Sequence, residues 1–333
     1  MRKNIIILIL VVILAAVAFW VVSTNSKSTI KRELRDFAIS DTAAVDKIFM
    51  VKKSNEQVTL TRTDKGWIVN GKYPARKDAI ETLLKTLKRV QVKNPVSESS
   101  MDNIIKMLAT RNTKVEIYSK GKLLKTIYVG GPTQDQLGTF MMLEGSSVPF
   151  IVAIPGFAGY LSSRFFTEEK SWRSPLIFDY NFDDIKSVKS INNIFPDQSF
   201  IVEKTGQEFN IKTLNGNIKA PAIDTLALRY YVSSFERIAC EFFVENFDPS
   251  IQDSLSNAVP FRVLEVTDVN GNTKKVEAHI RRAMGLTDDE GNPLEWDNER
   301  MYARLDGETW VVIQFYVFEV LFREFDYFFP VDR

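Results

Sequence analysis

From Asp46 the chain alternates apolar and polar residues. In "DKIFMVKK" and "QVTLTRT" the apolar positions recur every second residue, the period of a half-buried strand. "GWIVNG" adds a short third strand. The period then changes. In "YPARKDAIETLLKTLKRVQV", Ile80, Leu83, Leu84, Leu87 and Val90 share one helical face, and Lys77, Lys85, Lys88 and Arg89 fall off it. Pro74 sits just ahead, where a missing amide costs little. A second helix is predicted to follow, capped by Ser99 or Ser100, with Ile104, Ile105 and Leu108 buried. Four more strands are predicted at "TKVEIYS", "KTIYVGG", "TFMMLEG" and "PFIVAI", the first two joined by a tight turn at "KGK".

The same order of patterns starts again near Asp183. "DDIKSVKSI", "QSFIVEKT" and "EFNIKTL" read as strands. "APAIDTLALRYYVSSFERIACEFF" reads as a helix, with Leu228, Tyr231, Val232, Phe235 and Ile238 in the places of Ile80, Leu83, Leu84, Leu87 and Val90. "FRVLEVTD", "TKKVEAHI", "RMYARLDG" and "TWVVIQFYVF" then stand for the four late strands, with a hairpin turn at Asn270 to Asn272. Phe140, Leu143, Glu144, Gly145 and Val148 meet Tyr302, Leu305, Asp306, Gly307 and Trp310 at one offset. Helix face, strand order and the L-[ED]-G turn matching together point to an internal repeat. Glu144-Gly145 and Asp306-Gly307 are thereby hairpin turns and not catalytic loops, the glycines supplying positive φ.

The predicted fold class is α+β: an N-terminal transmembrane helix, then two tandem repeats, each an antiparallel sheet with helices on one face. The predicted divisions are a signal anchor over 1–22, a stalk over 23–45, a first repeat over 46–169, a joint over 170–182 and a second repeat over 183–333. The two repeats leave a seam between them.

Ile5 to Val22 carries no charge. As a helix it spans roughly 27 Å, close to a hydrocarbon core of about 30 Å. Trp20 suits the interfacial aromatic belt. A cleavable signal peptide with "AVA" at Ala16 to Ala18 is the competing reading, but it leaves bulky Phe19 and Trp20 at the new terminus. The uncleaved anchor is preferred. Arg2 and Lys3 form a short basic n-region, and large domains translocate regardless of flanking charge. The expectation is a single-pass inner-membrane protein, held in the bilayer by Ile5 to Val22, with its bulk in the periplasm.

Composition narrows the chemistry. Lys+Arg total 43 and Asp+Glu 42, a formal charge of +1, which argues against a body-wide nucleic-acid surface. The single cysteine, Cys240, can form neither an internal disulfide nor a cysteine zinc site. Cys240 reads as core, and the absence of a cysteine after the apolar segment argues against a lipid anchor. Any nucleophile–histidine triad would need His279, the one histidine. His279 lies in "VEAHIRR" and reads as a structural strand residue. No catalytic residue and no cofactor site is assigned.

Three stretches remain as candidates. "VGGPTQDQLG" has glycines but no Lys-Ser/Thr and no following helix, so it reads as a loop and not a phosphate cradle. "TDDEGNPLEWDNE" gathers Asp288, Asp289, Glu290, Glu295, Asp297 and Glu299. Calcium prefers such oxygen clusters, and Asp288, Asp289 and Glu290 are the weak metal candidates. The spacing is not that of an EF-hand, since Pro293 stands where glycine is needed, and a solvated acidic insertion is the preferred reading. In "FYVFEVLFREFDYFFPVDR", Val317, Phe318, Leu321, Phe322 and Phe325 have helical spacing, with Tyr327, Phe328 and Phe329 following. A helix closing the second sheet, as "GFAGYLSSRFF" closes the first, is the bland reading. The sharper one makes Phe318, Phe322, Phe325, Tyr327, Phe328 and Phe329 a partner surface.

"GWIVNGKYPARKDAIETLLKTL", with Trp67, Tyr73, Pro74 and Ala75, and then "VGG…GTFMMLEGSSVPFIV" resemble a bacterial envelope family of unknown function. Its members are membrane-anchored tandem α+β repeat proteins, and some relatives are associated with gliding-motility-type ABC transporters. The resemblance spans most of Asp46 to Phe318, although the second unit lacks the tryptophan and the full Tyr-Pro-Ala signature. It implies an envelope accessory role and supplies no catalytic residue. The expected function is a non-enzymatic scaffold or accessory subunit of a transporter or other envelope complex. The alternative is a periplasmic glycan- or peptide-binding module with its site at the seam between the repeats. An acid-pair hydrolase is a distant third.

Overall fold

The computed structural model describes residues 12–17, 35–214, 223–283 and 285–329. Of the apolar segment Ile5 to Val22, residues 12–17 are described; they are helical and exposed. The remainder of that segment and residues 23–34 of the predicted stalk lie outside the described residues. No described helix is long and apolar enough to cross a membrane. Two compact units divide the chain at Ser174 and Pro175.

The first unit is built on strands β1 (Lys47–Lys52), β2 (Gln57–Thr63), β3 (Gly66–Val69), β4 (Tyr73–Pro74), β5 (Gln91–Pro95), β6 (Thr113–Ser119), β7 (Lys122–Pro132), β8 (Thr139–Leu143) and β9 (Phe150–Ala153). They form one antiparallel sheet in the order β4-β3-β2-β1-β6-β7-β8-β9-β5. The period-2 pattern does what it predicts: Ile48, Met50, Val58, Leu60, Val115, Ile117, Ile127 and Val129 all point into one core. Helix α1 (Lys77–Arg89) covers that core with Ile80, Leu83 and Leu87, and its last turn carries Lys88 and Arg89, which suit the helix dipole.

Helix α2 (Glu98–Thr110) differs from the reading in two ways. It starts earlier, with Ser97 as N-cap, and of its predicted buried residues only Leu108 is fully buried. It also lies on the other side of the sheet. Val129 points inward, so Gly130 presents its α-carbon outward. A Cβ on Gly130 would stand 2.6 Å from Leu108 Cδ2. The first unit therefore carries helices against both sides of its sheet, where the sequence predicts one. "GFAGYLSSRFF" forms no closing helix. It makes a single tight turn, Ser162–Arg164, which buries Leu161 and Phe165.

The core also reaches back before Asp46. Phe37, Ile39 and Val45 are buried in it, and Ile39 N–H donates to Leu87 O at 2.9 Å. Lys125 Nζ donates to Ala38 O at 2.8 Å. These residues, assigned by sequence to the stalk, belong to the packed unit. Trp172, assigned to the joint, is buried in the same core after the short helix α3 (Glu169–Trp172) and stacks on Phe166 at 4.1 Å.

The second unit has strands β10 (Leu176–Phe178), β11 (Ile185–Asn192), β12 (Phe200–Thr205), β13 (Glu208–Thr213), β14 (Ile238–Ala239), β15 (Phe242–Phe243), β16 (Arg262–Asp268), β17 (Thr273–Arg282), β18 (Trp296–Leu305) and β19 (Thr309–Gln314). Its main antiparallel sheet runs β13-β12-β11-β16-β17-β18-β19-β15, and β10 pairs separately with β14. Helix α4 (Thr225–Ser233) is capped by the Asp224 carboxylate, which accepts from Leu226 and Ala227 N–H. It buries Leu228, Tyr231 and Val232. The helix is shorter than predicted: it stops at Ser233, and Arg237 at φ 56° turns the chain into β14. Phe235 and Ile238 still reach the core. "FYVF", which the sequence reading places both at the end of a strand and at the start of a helical stretch, is the short helix α6 (Phe315–Phe318), which follows α5 (Pro249–Asn257) in the helix order. Tyr231, Phe200, Phe235 and Phe328 meet edge to face at 5.1–5.6 Å.

Candidate functional site: a groove beside helix α5

In β17, Val276 and Ala278 face the core, so Glu277 and His279 face outward. Tyr302 of β18 is level with His279 on that outer side. Trp310 of β19 lies beside them, its ring 5.4 Å from His279 and 5.6 Å from Phe247, and Phe247 is 5.1 Å from Tyr302. The result is an aromatic cluster built from three strand residues and Phe247, which precedes the N-cap of α5.

Helix α5 begins where Asp248 accepts from Ser250 N–H at 2.8 Å, with Pro249 in the first turn. No residue of α5 is fully buried. Between α5 and β17 runs a groove of about 830 Å³. Ser250, Ile251, Ser254 and Leu255 form one wall, and His279, Ile280, Arg281 and Arg282 the other. Ile280 is 43% exposed and Trp296 45%, so the lining presents large apolar surface to solvent. Depressions of about 550 Å³ beside Gln91 and Phe157, and of about 500 Å³ beside Met107 and Gly130, occur in the first unit.

The acidic insertion contributes Leu294, Glu295 and Trp296 to the groove lining. Two of its carboxylates, Asp288 and Asp297, are engaged locally. Asp288 accepts from Glu290 N–H, Asn292 N–H and the Asn292 side chain. Asp268 makes the same three bonds to Asn270 and Asn272 in the neighbouring hairpin. "DDEGN" is thus the same turn as "DVNGN", and Asn292 holds the Asp288 carboxyl below its ordinary pKa. Asp289 and Glu290 are exposed. Among the described residues no group of three or more His, Cys, Asp or Glu could hold a metal ion.

Asp297 is nearly fully buried. It accepts from Arg281 Nη1 at 3.2 Å and from Glu299 and Arg300 N–H at 3.0 and 2.9 Å. Arg281 stands 5.5 Å from the Tyr302 ring and Arg282 5.8 Å from the Trp296 ring. Burial lowers the pKa of His279; nearby Glu277 opposes that shift and Arg304 adds to it. The neutral imidazole packs as part of the aromatic cluster.

The C-terminal aromatics fall in a different place. Phe318, Phe325 and Phe328 are buried in the second core, and Phe322 and Phe329 pack half-buried against it. Tyr327 alone of the six is exposed, at 38%. Packing against α4 and the sheet makes Phe318, Phe325 and Phe328 core residues rather than the partner surface offered from sequence. Cys240 is buried in the same core.

Residues 67–255 match the family described as Domain of unknown function (DUF4340). The chain belongs to this family. No curated protein and no solved structure matches it. The DUF4340 match starts at Trp67 and takes in Tyr73, Pro74 and Ala75, the residues that carried the resemblance. It ends inside α5, so β17, β18 and the cluster residues His279, Tyr302 and Trp310 lie beyond the matched span, and Phe247 lies within it.

Sequence reasoning missed the groove. His279 and Tyr302 line it as single outward residues of adjacent strands, with Trp310 against His279, each an ordinary polar-side position on its own strand. The signals available were the solitary histidine, the aromatic pair Tyr302 and Trp310, and the acidic insertion.

Proposed function

We propose that the protein is a non-enzymatic binding protein of the cell envelope, an accessory or scaffold subunit of a transporter such as an ABC-type complex. Ile5 to Val22 would hold it in the inner membrane, with its bulk in the periplasm. In this reading the two units are internal repeats of one α+β design, and the second carries the partner site.

The repeat reading is supported by strand order. Read from β3 to β5, the first sheet runs in the sequence that the second follows from β13 to β15. Register agrees: Thr113 pairs with Val129 as Arg262 pairs with Ala278, and Val115 with Ile127 as Leu264 with Val276.

The observation that carries the binding reading is the groove beside α5. The lining sets Ile251, Leu255, Ile280 and Trp296 among Ser250, Ser254, Arg281, Arg282 and Glu295. Such a mixture suits a polypeptide segment that presents aliphatic side chains beside polar groups. The test is a photo-crosslinking residue placed at position 255 in the full chain in its own membrane, with position 85 on the exposed side of α1 as control. Adducts to one protein from position 255 and none from 85 are expected. Equal labelling from both positions would count against the groove.

A further inference from the structure

The two units differ at a register place on the outer side of β7 and β17. Gly130 follows Val129 in β7, and His279 follows Ala278 in β17; Val129 and Ala278 are the matched core residues. In the first unit α2 packs directly onto Gly130. A Cβ there would lie 2.6 Å from Leu108 Cδ2, 3.2 Å from Met107 Cε and 3.0 Å from the Phe140 backbone oxygen. A larger side chain there pushes on Leu108 and Met107 of α2 and crowds the Phe140 carbonyl. In the second unit that place holds an imidazole, backed by the Trp310 ring at 5.4 Å. There no residue of α5 is fully buried, Ile251 and Leu255 being half-buried, and the groove of about 830 Å³ opens between it and the strand.

We propose that His279 is the wedge that holds α5 off the sheet and so creates the groove. It is a positioning residue: it sets the distance of α5 from β17, whatever fills the space between them. Replacing it by glycine removes the bulk that Gly130 lacks and lets α5 settle as α2 does. This deepens the binding reading and rests on the correspondence of the two units, but its test involves no partner.

Amide hydrogen exchange on the full chain reads both helices together. In His279→Gly, exchange across 249–257 slows at least about tenfold, because a helix seated on the sheet opens less often. In His279→Phe, which keeps the bulk, it stays at the wild-type rate. In Gly130→His, exchange across 98–110 speeds up by a similar factor. Unchanged or faster exchange of α5 in His279→Gly overturns the wedge, as does an α2 indifferent to Gly130→His. Either variant decides alone if the other fails to fold. A closed α5 that still retains a partner would leave the wedge standing and remove the groove as the partner's site.

Discussion

Arg281 and Asp297 form a 3.2 Å ion pair at the wall of the groove, with 3% of the Asp297 side chain exposed against 22% of Arg281. The carboxylate also accepts from two backbone amides inside β18, Glu299 and Arg300. It therefore holds the stretch of β18 where its pairing with β17 shifts register. Asp297→Ala should cost about 2–4 kcal/mol, since it strands a largely covered guanidinium and two amides. Asp297→Asn should cost less, because its amide oxygen can still accept. Urea unfolding checks both, and a loss under about 0.5 kcal/mol for the alanine variant would contradict the assignment.

Gly130 gives the second prediction. Gly130→Ala should destabilise the first unit by about 1–3 kcal/mol, the usual penalty of overpacking, because Leu108 Cδ2 must move. Leu108→Ala in the same chain should reduce that penalty, giving a measurable coupling in a double-mutant cycle. Additive effects would mean that α2 does not press on the glycine.

Acidification should weaken the fold through His279. Burial lowers its folded pKa below the ordinary 6.5, so the unfolded chain takes up this proton first as pH falls. The stability linked to His279 is fully present above about pH 6.5 and is lost as pH drops toward the folded value. His279→Phe should remove that part of the pH dependence. Denaturant midpoints from pH 8 to pH 5 check it; identical slopes for the two proteins would contradict it.

The aromatic tail separates core from surface. Phe328→Ala, at a fully buried ring touching Phe200 and Tyr231, should cost about 3–5 kcal/mol. Tyr327→Ala, at an exposed ring that contacts Arg323 at 4.8 Å and Phe328 at 5.2 Å, should cost about 1 kcal/mol or less. Thermal melts of the two variants should differ accordingly, and similar shifts would contradict the packing.

Much of the fold was legible from periodicity. Alternation located strands such as Lys47–Lys52 and Gln57–Thr63, because one face of each is buried and period 2 follows. The helical stripe of Ile80, Leu83 and Leu87 was legible for the same reason. What failed depended on contacts distant in sequence. "FYVF" has strand composition but turns into a helix that places Phe318 in the core. Residues Phe37 to Ile39 look like linker until the core takes in Phe37, Lys125 bonds Ala38 O and Leu87 O accepts from Ile39 N–H. The match of Val148 with Trp310 slips by one residue: Met141 pairs with Phe150 and Ala303 with Val311, so Phe150 stands level with Val311. The shorter turn after Gly307 hid the slip. The groove was illegible because it is a gap, set by the distance between a helix and a strand.

The most direct test of partner binding at the groove is recovery of the full chain in mild detergent, comparing wild type with Ile280→Asp. Ile280 is half exposed at the groove wall, so a charge there should leave the fold intact while spoiling an apolar contact. One envelope protein should come through purification with wild type, and its recovery with Ile280→Asp should fall at least about tenfold, which corresponds to about 1.4 kcal/mol. Wild type recovered as a lone monomer, or equal partner recovery by both proteins, would contradict it.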